Sequence, residues 1–206
     1  MAEAAIKRSR FKGLRDFYVA LITENTAEAY ATETPVKLAR AIKVKVNDKH
    51  SSEDLESDDE IEDTCETYEG TEVEIEANSL APQDDALLLG HKYENGFLVK
   101  NKDDKAPELA FGYRAKRMDN TYEFHWLYCG RFSQGREENR ETGYSKPTPQ
   151  TETIKGNFYS RKIDGTYEIY VDEANLMAEH TTAKAAITDW FSKVQEPKEV
   201  EAKAGE

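Results

Sequence analysis

From Asp16 onward the dominant spacing of apolar residues is two, the period of a half-buried β-strand. Phe17 to Thr23 is a first apolar run. Pro35 to Asn47 alternates Val36, Leu38, Ile42, Val44 and Val46 with Lys37, Ala39, Ala41, Lys43 and Lys45, and Arg40 alone interrupts the apolar side. The pattern predicts one long strand with a wet face. Asp48 to Gly70 shows no alternation and is rich in Ser, Asp and Glu, so it reads as a loop far longer than the usual connection of roughly 4 to 6 residues. A loop of that length is functional or disordered. Thr71 to Ala77 returns to strict alternation, with Glu72, Glu74 and Glu76 on one face and Val73, Ile75 and Ala77 on the other.

A short helix follows, with Asn78 or Ser79 as its cap, Pro82 in the first turn, Asp84 and Asp85 near the positive end of the dipole and Gly90 as the stop. Asn95-Gly96 marks a turn within His91 to Asn101. Pro107 to Lys116 and Thr121 to Phe132 read as core strands, the second with Tyr122, Phe124, Trp126, Tyr128 and Phe132 sharing a face and His125 opposite. Ser133 to Gln150 is a polar second loop. Thr151 to Lys162 and Thr166 to Val171 flank Asp164-Gly165, which predicts a hairpin between them. Ala186, Ile187, Trp190, Phe191 and Val194 recur at helical intervals, and a Lys, Glu and Ala tail closes the chain.

Composition narrows the class. The 206 residues suffice for one generous core, and 11 Tyr, 8 Phe and 2 Trp are too many aromatics for a disordered chain despite 33% charged residues. The start, Met1 to Arg15, carries Lys7, Arg8, Arg10, Lys12 and Arg15 with little that is apolar, so it reads as an arm rather than a strand. No stretch approaches the roughly 20 apolar residues of a membrane helix, and no secretory signal precedes the first strand. Cytosol is the expected place of synthesis, and no membrane partner is expected. Cys65 and Cys129 lie in such different surroundings that no disulfide between them is expected.

The net charge of −13 argues against gripping phosphate backbones, since affinity for nucleic acid comes chiefly from cations that release counterions. Thirteen Asp and Glu, and no Lys or Arg, fall between Glu53 and Glu76, so this segment alone matches the net charge. Its bland reading is a solvated charged loop. The run from Asp58 has Asp63 where a calcium loop needs glycine, and His50, His91, His125 and His180 lack zinc spacing. No nucleophile elbow, P-loop or dinucleotide fingerprint is present. The residues therefore name no catalytic group, no metal ligand and no cofactor; His125 reads as a partnered histidine.

Several segments, in order and spacing, resemble the phi13-type major tail proteins of long-tailed bacteriophages over roughly Phe11 to Val194. They are Gly13-Leu14-Arg15-Asp16-Phe17-Tyr18 with Ala20 to Glu24, Thr34 to Ala39, Ile42 to Val46 and Glu72-Val73-Glu74-Ile75 leading through Leu80 and Pro82 to Leu88-Leu89-Gly90-His91. Trp126-Leu127-Tyr128, Gly130-Arg131-Phe132-Ser133 and Trp190-Phe191 complete the set. The resemblance implies a mainly β tail-tube fold: two packed antiparallel sheets with a flanking short helix and a C-terminal helix. It further implies a structural virion subunit, not an enzyme, that forms hexameric rings stacked into a conduit for DNA. Implied partners are other copies of the chain and the tape-measure, tail terminator and baseplate proteins, with location in the virion tail. On this scheme residues 1–10 are an arm, 11–195 the tube domain and 196–206 a tail.

If the strands on either side of Asp48 to Gly70 pair antiparallel, Lys43 and Lys45 face Glu72, Glu74 and Glu76 on a net acidic surface. A DNA conduit gains from such a wall, which repels phosphate; these five residues are the candidates for the lumen. Glu53, Asp54, Glu56, Asp58, Asp59, Glu60, Glu62 and Asp63 of the loop, and Lys7, Arg8 and Arg10 of the arm, are candidates for contacts between rings. A clustered negative surface also suits an acidic protein that mimics DNA, and a β-barrel enzyme or carrier is a third reading.

Overall fold

The computed structural model describes residues 6–38, 40–57, 60–133, 137–138 and 151–196, with backbone alone at 53–57, 60–63 and 137–138. It is mainly β, with two antiparallel sheets and two α-helices. Strand β1 spans Phe11–Asn25, β2 Tyr30–Thr32, β3 Val36–Lys37, β4 Ala41–Ser57 and β5 Glu60–Ala77. Helix α1 is Pro82–Leu89, followed by the hairpin of β6 (Lys92–Glu94) and β7 (Phe97–Val99), which forms the small sheet. Then come β8 (Leu109–Arg117), β9 (Tyr122–Phe132), β10 (Glu137–Glu138), β11 (Glu152–Tyr159), β12 (Glu168–Asp172) and α2 (Thr181–Thr188). The large sheet has the order β2-β1-β8-β9-β11-β5-β4.

The expected strand from Pro35 to Asn47 is broken in two, and the break closes the sheet on itself. β3 pairs with β1 at one end of the sheet and β4 pairs with β5 at the other. Between them Leu38 turns into the core, its N–H donating to the Phe17 carbonyl at 2.8 Å, while the Arg40 carbonyl accepts from Asn78 at 3.2 Å. One ladder edge cannot serve both partners, so the chain crosses from the first to the second. The curled sheet thereby packs one half against the other, as a sandwich does.

The inner core follows the alternation. Phe17 and Val19 of β1, Val73 and Ile75 of β5, Leu109 and Phe111 of β8, Ile154 and Phe158 of β11, and Leu88 and Leu89 of α1 all lie in it. Helix α1 plugs this core: its entry is fixed by Leu80, whose N–H donates to the buried Glu152 carboxylate at 2.9 Å, and its exit by Gly90 at φ 73°. The cap itself is Ala81, later than Asn78 or Ser79, and the Asp84 side chain accepts from its N–H at 3.0 Å.

A second core lies on the outer face, where Phe124, Trp126 and Tyr128 of β9 and Ala20 and Ala110 meet Trp190 and Val194. Phe132 does not join it. A bulge in β9, where Leu109 pairs with Gly130 but Phe111 with Leu127, reverses the parity and sends Phe132 inward. Helix α2 also ends earlier than expected. Trp190, Phe191 and Val194 follow it outside the helix, and Trp190 and Val194 are buried on the aromatic face while Ala186 and Ile187 of α2 pack against its margin half-buried.

Two further expectations are corrected. Phe11 to Arg15 belong to β1, pairing with β8, because the Phe11 ring sits 4.5 Å beneath the Arg117 guanidinium and tertiary pairing overrides the basic composition. The turn at Asp164-Gly165 forms, with Arg161 N–H donating to the Thr166 carbonyl at 2.9 Å, but β11 and β12 do not pair with each other. Both pair with β9, end to end along its one edge.

Close packing at the bulge leads to a prediction. A Cβ on Gly130 would lie 2.3 Å from the Phe158 ring, inside the inner core. Gly130→Ala is expected to cost about 1–3 kcal/mol through overpacking, read as a lower urea midpoint at unchanged slope. An unchanged midpoint would mean that Phe158 has room to yield.

Candidate assembly surfaces

Over Thr71 to Ala77 strand β5 turns only Glu side chains to its polar side, Glu72 exposed and Glu74 and Glu76 half-buried, and it lies between β4 and β11. The register sets Lys43 opposite Glu76, Lys45 opposite Glu74 and Asn47 opposite Glu72. On the other flank Thr153 faces Glu76, Lys155 faces Glu74 and Asn157 faces Glu72. Lys49 reaches Glu72 at 2.6 Å, and Thr151 donates its hydroxyl to Glu76 at 2.6 Å. The Lys49 ammonium holds the Glu72 carboxyl below its ordinary range, although Glu72 stands in solvent. The five residues named for this face are thus brought together as expected, with Lys43 and Lys45 opposite the glutamates.

The expected net acidity of the face is corrected. Lys43, Lys45, Lys49 and Lys155 oppose Glu72, Glu74 and Glu76, so four cations meet three anions. Two of these cations were not singled out in the sequence, although Lys49 continues the alternation of Lys43 and Lys45. Lys155 alternates in the same way with Thr153 and Asn157, but nothing local to it reveals that β11 will flank β5. Between the strands lies a cleft of about 400 Å³ lined by Lys45, Asn47, Glu72, Glu74, Ser133 and Lys155 among others.

The acidic segment is not a loop. Its backbone continues β4 and β5 as one ladder from Lys49 opposite Gly70 to Ser57 opposite Glu60. Pairing with β11 stops at Thr71, so the ladder beyond it is a hairpin that leaves the body. Nine residues of strand extend it by about 30 Å. Alternation is absent where the described side chains of this hairpin meet no core: Thr64 to Thr67 are exposed. Its root is knotted by Thr71, whose hydroxyl donates to Asp48 and meets the Tyr68 hydroxyl at 2.8 Å. Glu53, Asp54, Glu56, Glu60, Glu62 and Asp63 lie on this hairpin by their backbone, while Asp58 and Asp59 are outside the described residues.

The basic arm runs back along its own chain. Lys7, Arg8 and Arg10 have exposed side chains, while their backbone is anchored: Lys7 N–H donates to Asn175 at 2.8 Å, and the Arg10 carbonyl accepts from Met118 at 2.8 Å. The tail after residue 196 and most of the second loop lie outside the described residues. Cys65 is exposed on the hairpin and Cys129 is buried; neither forms a disulfide. Among the described residues no group of His, Cys, Asp and Glu is arranged to hold a metal, and no helix is long and apolar enough to cross a membrane.

His125 does face away from Phe124 and Trp126. It sits between two carboxylates, Glu123 and Glu168, a pairing that sequence reading missed because Glu168 comes from β12. Compared with family models and with curated proteins, the chain matches none.

Proposed function

We propose that this chain is a structural subunit that assembles with copies of itself, and specifically a tail-tube protein of a long-tailed bacteriophage whose rings stack around a DNA conduit. The observation that carries the reading is the projecting hairpin of β4 and β5. A two-stranded ribbon is marginal alone in water, and here it extends about 30 Å past the end of its pairing with β11. Such an element is stabilised when a neighbouring subunit covers it, and exposed strand edges are otherwise an aggregation hazard. Closed assembly supplies the cover. The resemblance to tail proteins supports the same reading and supplies the ring, the partners and the virion location.

The lumen role of the β5 face takes a different form on this reading. A wall of alternating lysine and glutamate neither repels phosphate strongly nor offers it an uncompensated cationic track, so DNA passes without being held.

The test is assembly of the purified full chain, followed by size-exclusion chromatography and negative-stain microscopy. Rings or tubes are expected from the native chain. Replacing residues 50–68 with Asn-Gly, which joins the ladder near Lys49 and Gly70, is expected to preserve the fold by circular dichroism and leave monomers. Cys65 provides a second measure, since it should react with a maleimide in the monomer and lose at least about tenfold in rate when a neighbour covers the hairpin. A native chain that stays monomeric at all concentrations would sink the proposal. Compact dimers that bind a nucleic-acid enzyme would favour the acidic mimic.

A further inference from the structure

His125 is 12% exposed, and both of its ring nitrogens meet a carboxylate: Nε2 lies 2.9 Å from Glu123 and Nδ1 2.7 Å from Glu168. Its ring stacks on Tyr113 with centroids 4.5 Å apart and faces Tyr170 at 5.6 Å. A neutral imidazole has one N–H and one lone pair, so it would satisfy one carboxylate and repel the other; the imidazolium donates to both. The geometry is that of a cation site whose cation carries a removable proton.

What this cation holds is an edge strand. Glu168 stands on β12, which among the described residues pairs only with β9. Immediately before β12, Tyr167 stacks on Tyr68 at the root of the hairpin, with centroids 4.2 Å apart. At the far end of β12, Asp172 accepts from Arg117 at 2.9 Å and from Asn175 at 2.6 Å. Asn175 accepts from the Lys7 N–H at 2.8 Å and donates to the Lys7 carbonyl at 3.1 Å, while Arg117 donates to the Ser9 carbonyl at 2.8 Å. The second oxygen of Glu123 accepts from Arg117 as well. One short strand thus carries the anchor of the basic arm at one end and the root of the hairpin at the other.

We propose that protonated His125 is a staple that holds β12 to the sheet and so latches both appendages, the N-terminal arm and the β4–β5 hairpin, and that loss of the proton loosens the two together. The inference concerns a single chain and stands independently of the tail-tube reading.

The titratable and charged groups on the ring and on its immediate partners come from four strands. They are Glu123 on β9, Glu168, Tyr170 and Asp172 on β12, Tyr113 and Arg117 on β8, and Asp48 on β4, whose charge reaches Tyr113. Without the imidazolium, Arg117 alone would balance Glu123, Glu168 and Asp172. Burial presses the imidazole toward its neutral form, but the hydrogen bonds and charges of Glu123 and Glu168 outweigh it, and the pKa is raised above 6.5. The hydrogen bond from His125 in turn lowers the Glu123 carboxyl. A raised pKa means that the folded chain binds this proton more tightly than the unfolded one. The staple is therefore fully present below the unfolded value of about 6.5 and is lost as pH rises through the folded value. The latch is closed in mild acid and opens toward alkaline pH.

The test is nuclear magnetic resonance of the full native chain, following the His125 ring and amide exchange across its titration. After correction for intrinsic exchange, protection of the β12 amides and of Lys7 is expected to fall about tenfold as the ring loses its proton. The amides of Val73 and Ile154 in the inner core should not change. His125→Gln is expected to give low protection of β12 without a pH step. Asn175→Ala should free Lys7 and the Asp172 end of β12 while leaving the pH step of the Ile169 and Tyr170 amides and the ring titration as they were. Protection of β12 that stays flat through the native ring's titration would overturn the proposal, and so would a step that survives in His125→Gln. Should His125→Gln fail to fold, the native titration with Asn175→Ala decides.

Discussion

Trp190→Ala should unfold the chain at a much lower urea concentration than the native protein, with a loss of about 3–5 kcal/mol. Trp190 is 2% exposed and packs on Phe124 at 5.7 Å between centroids. Its carbonyl accepts from the Trp126 indole at 3.1 Å, and the Gln195 carbonyl accepts from the Tyr128 hydroxyl at 2.8 Å. The residue is thus the keystone of a lid over the outer aromatic face, to which α2 adds only the half-buried Ala186 and Ile187. Removing the indole leaves a cavity against Phe124 and lets water reach polar groups now paired with the lid. The loss is a large fraction of the whole stability of a domain, roughly 5–15 kcal/mol. Equilibrium urea unfolding followed by far-ultraviolet circular dichroism measures it. A loss under about 1 kcal/mol would mean that the C-terminal segment opens without disturbing the sheet.

The triple variant Glu72→Lys, Glu74→Lys and Glu76→Lys should bind DNA at low salt more tightly than the native chain does. The three new lysines would join Lys43, Lys45, Lys49 and Lys155 on one face and remove the three carboxylates that stand opposite them. Affinity that rests on 6–10 phosphate contacts falls about 10³–10⁵-fold between 50 and 200 mM salt, and seven lysines place the variant at the lower end. Like charges directly opposite cost roughly 0.2–1 kcal/mol per pair, so folding is checked first. Fluorescence anisotropy with a labelled duplex across a salt series gives the slope. Absence of binding at 50 mM salt would show that the face is not reachable by a duplex. On the proposed tail-tube reading, tubes of the same variant should retain DNA at low ionic strength and release it as salt rises. Normal ejection through such tubes would remove this face from the lumen.

The candidate face illustrates how far the sequence could be read. Glu72, Glu74 and Glu76 were legible because strict alternation with Val73, Ile75 and Ala77 leaves no other arrangement once the strand is half buried. That Lys43 and Lys45 would oppose them was also legible, since two strands joined in sequence commonly pair. Lys155 was not, for it arrives from β11 after more than seventy intervening residues. The hairpin was misread as a loop for a related reason. A strand without a core on either side has nothing to impose alternation, and its pairing is visible only in the ladder from Lys49 to Ser57.

The sequence by itself determined which face of each core strand is apolar and where the backbone must turn. Asn95 and Gly96 take φ values of 51° and 84°, and Gly90 and Gly165 both take 73°, at the positions where turn residues stand. Tertiary structure alone decided which strands are neighbours. It broke the run from Pro35 to Asn47 so that β3 joined β1 and β4 joined β5, and it set β11 and β12 along one edge of β9 in place of a hairpin. It also brought Glu168 to His125. The physical reason is that side-chain alternation is a local property of each strand. The ladder, by contrast, is made of backbone groups that are alike at nearly every residue, so the choice of partner falls to the packing of the whole core.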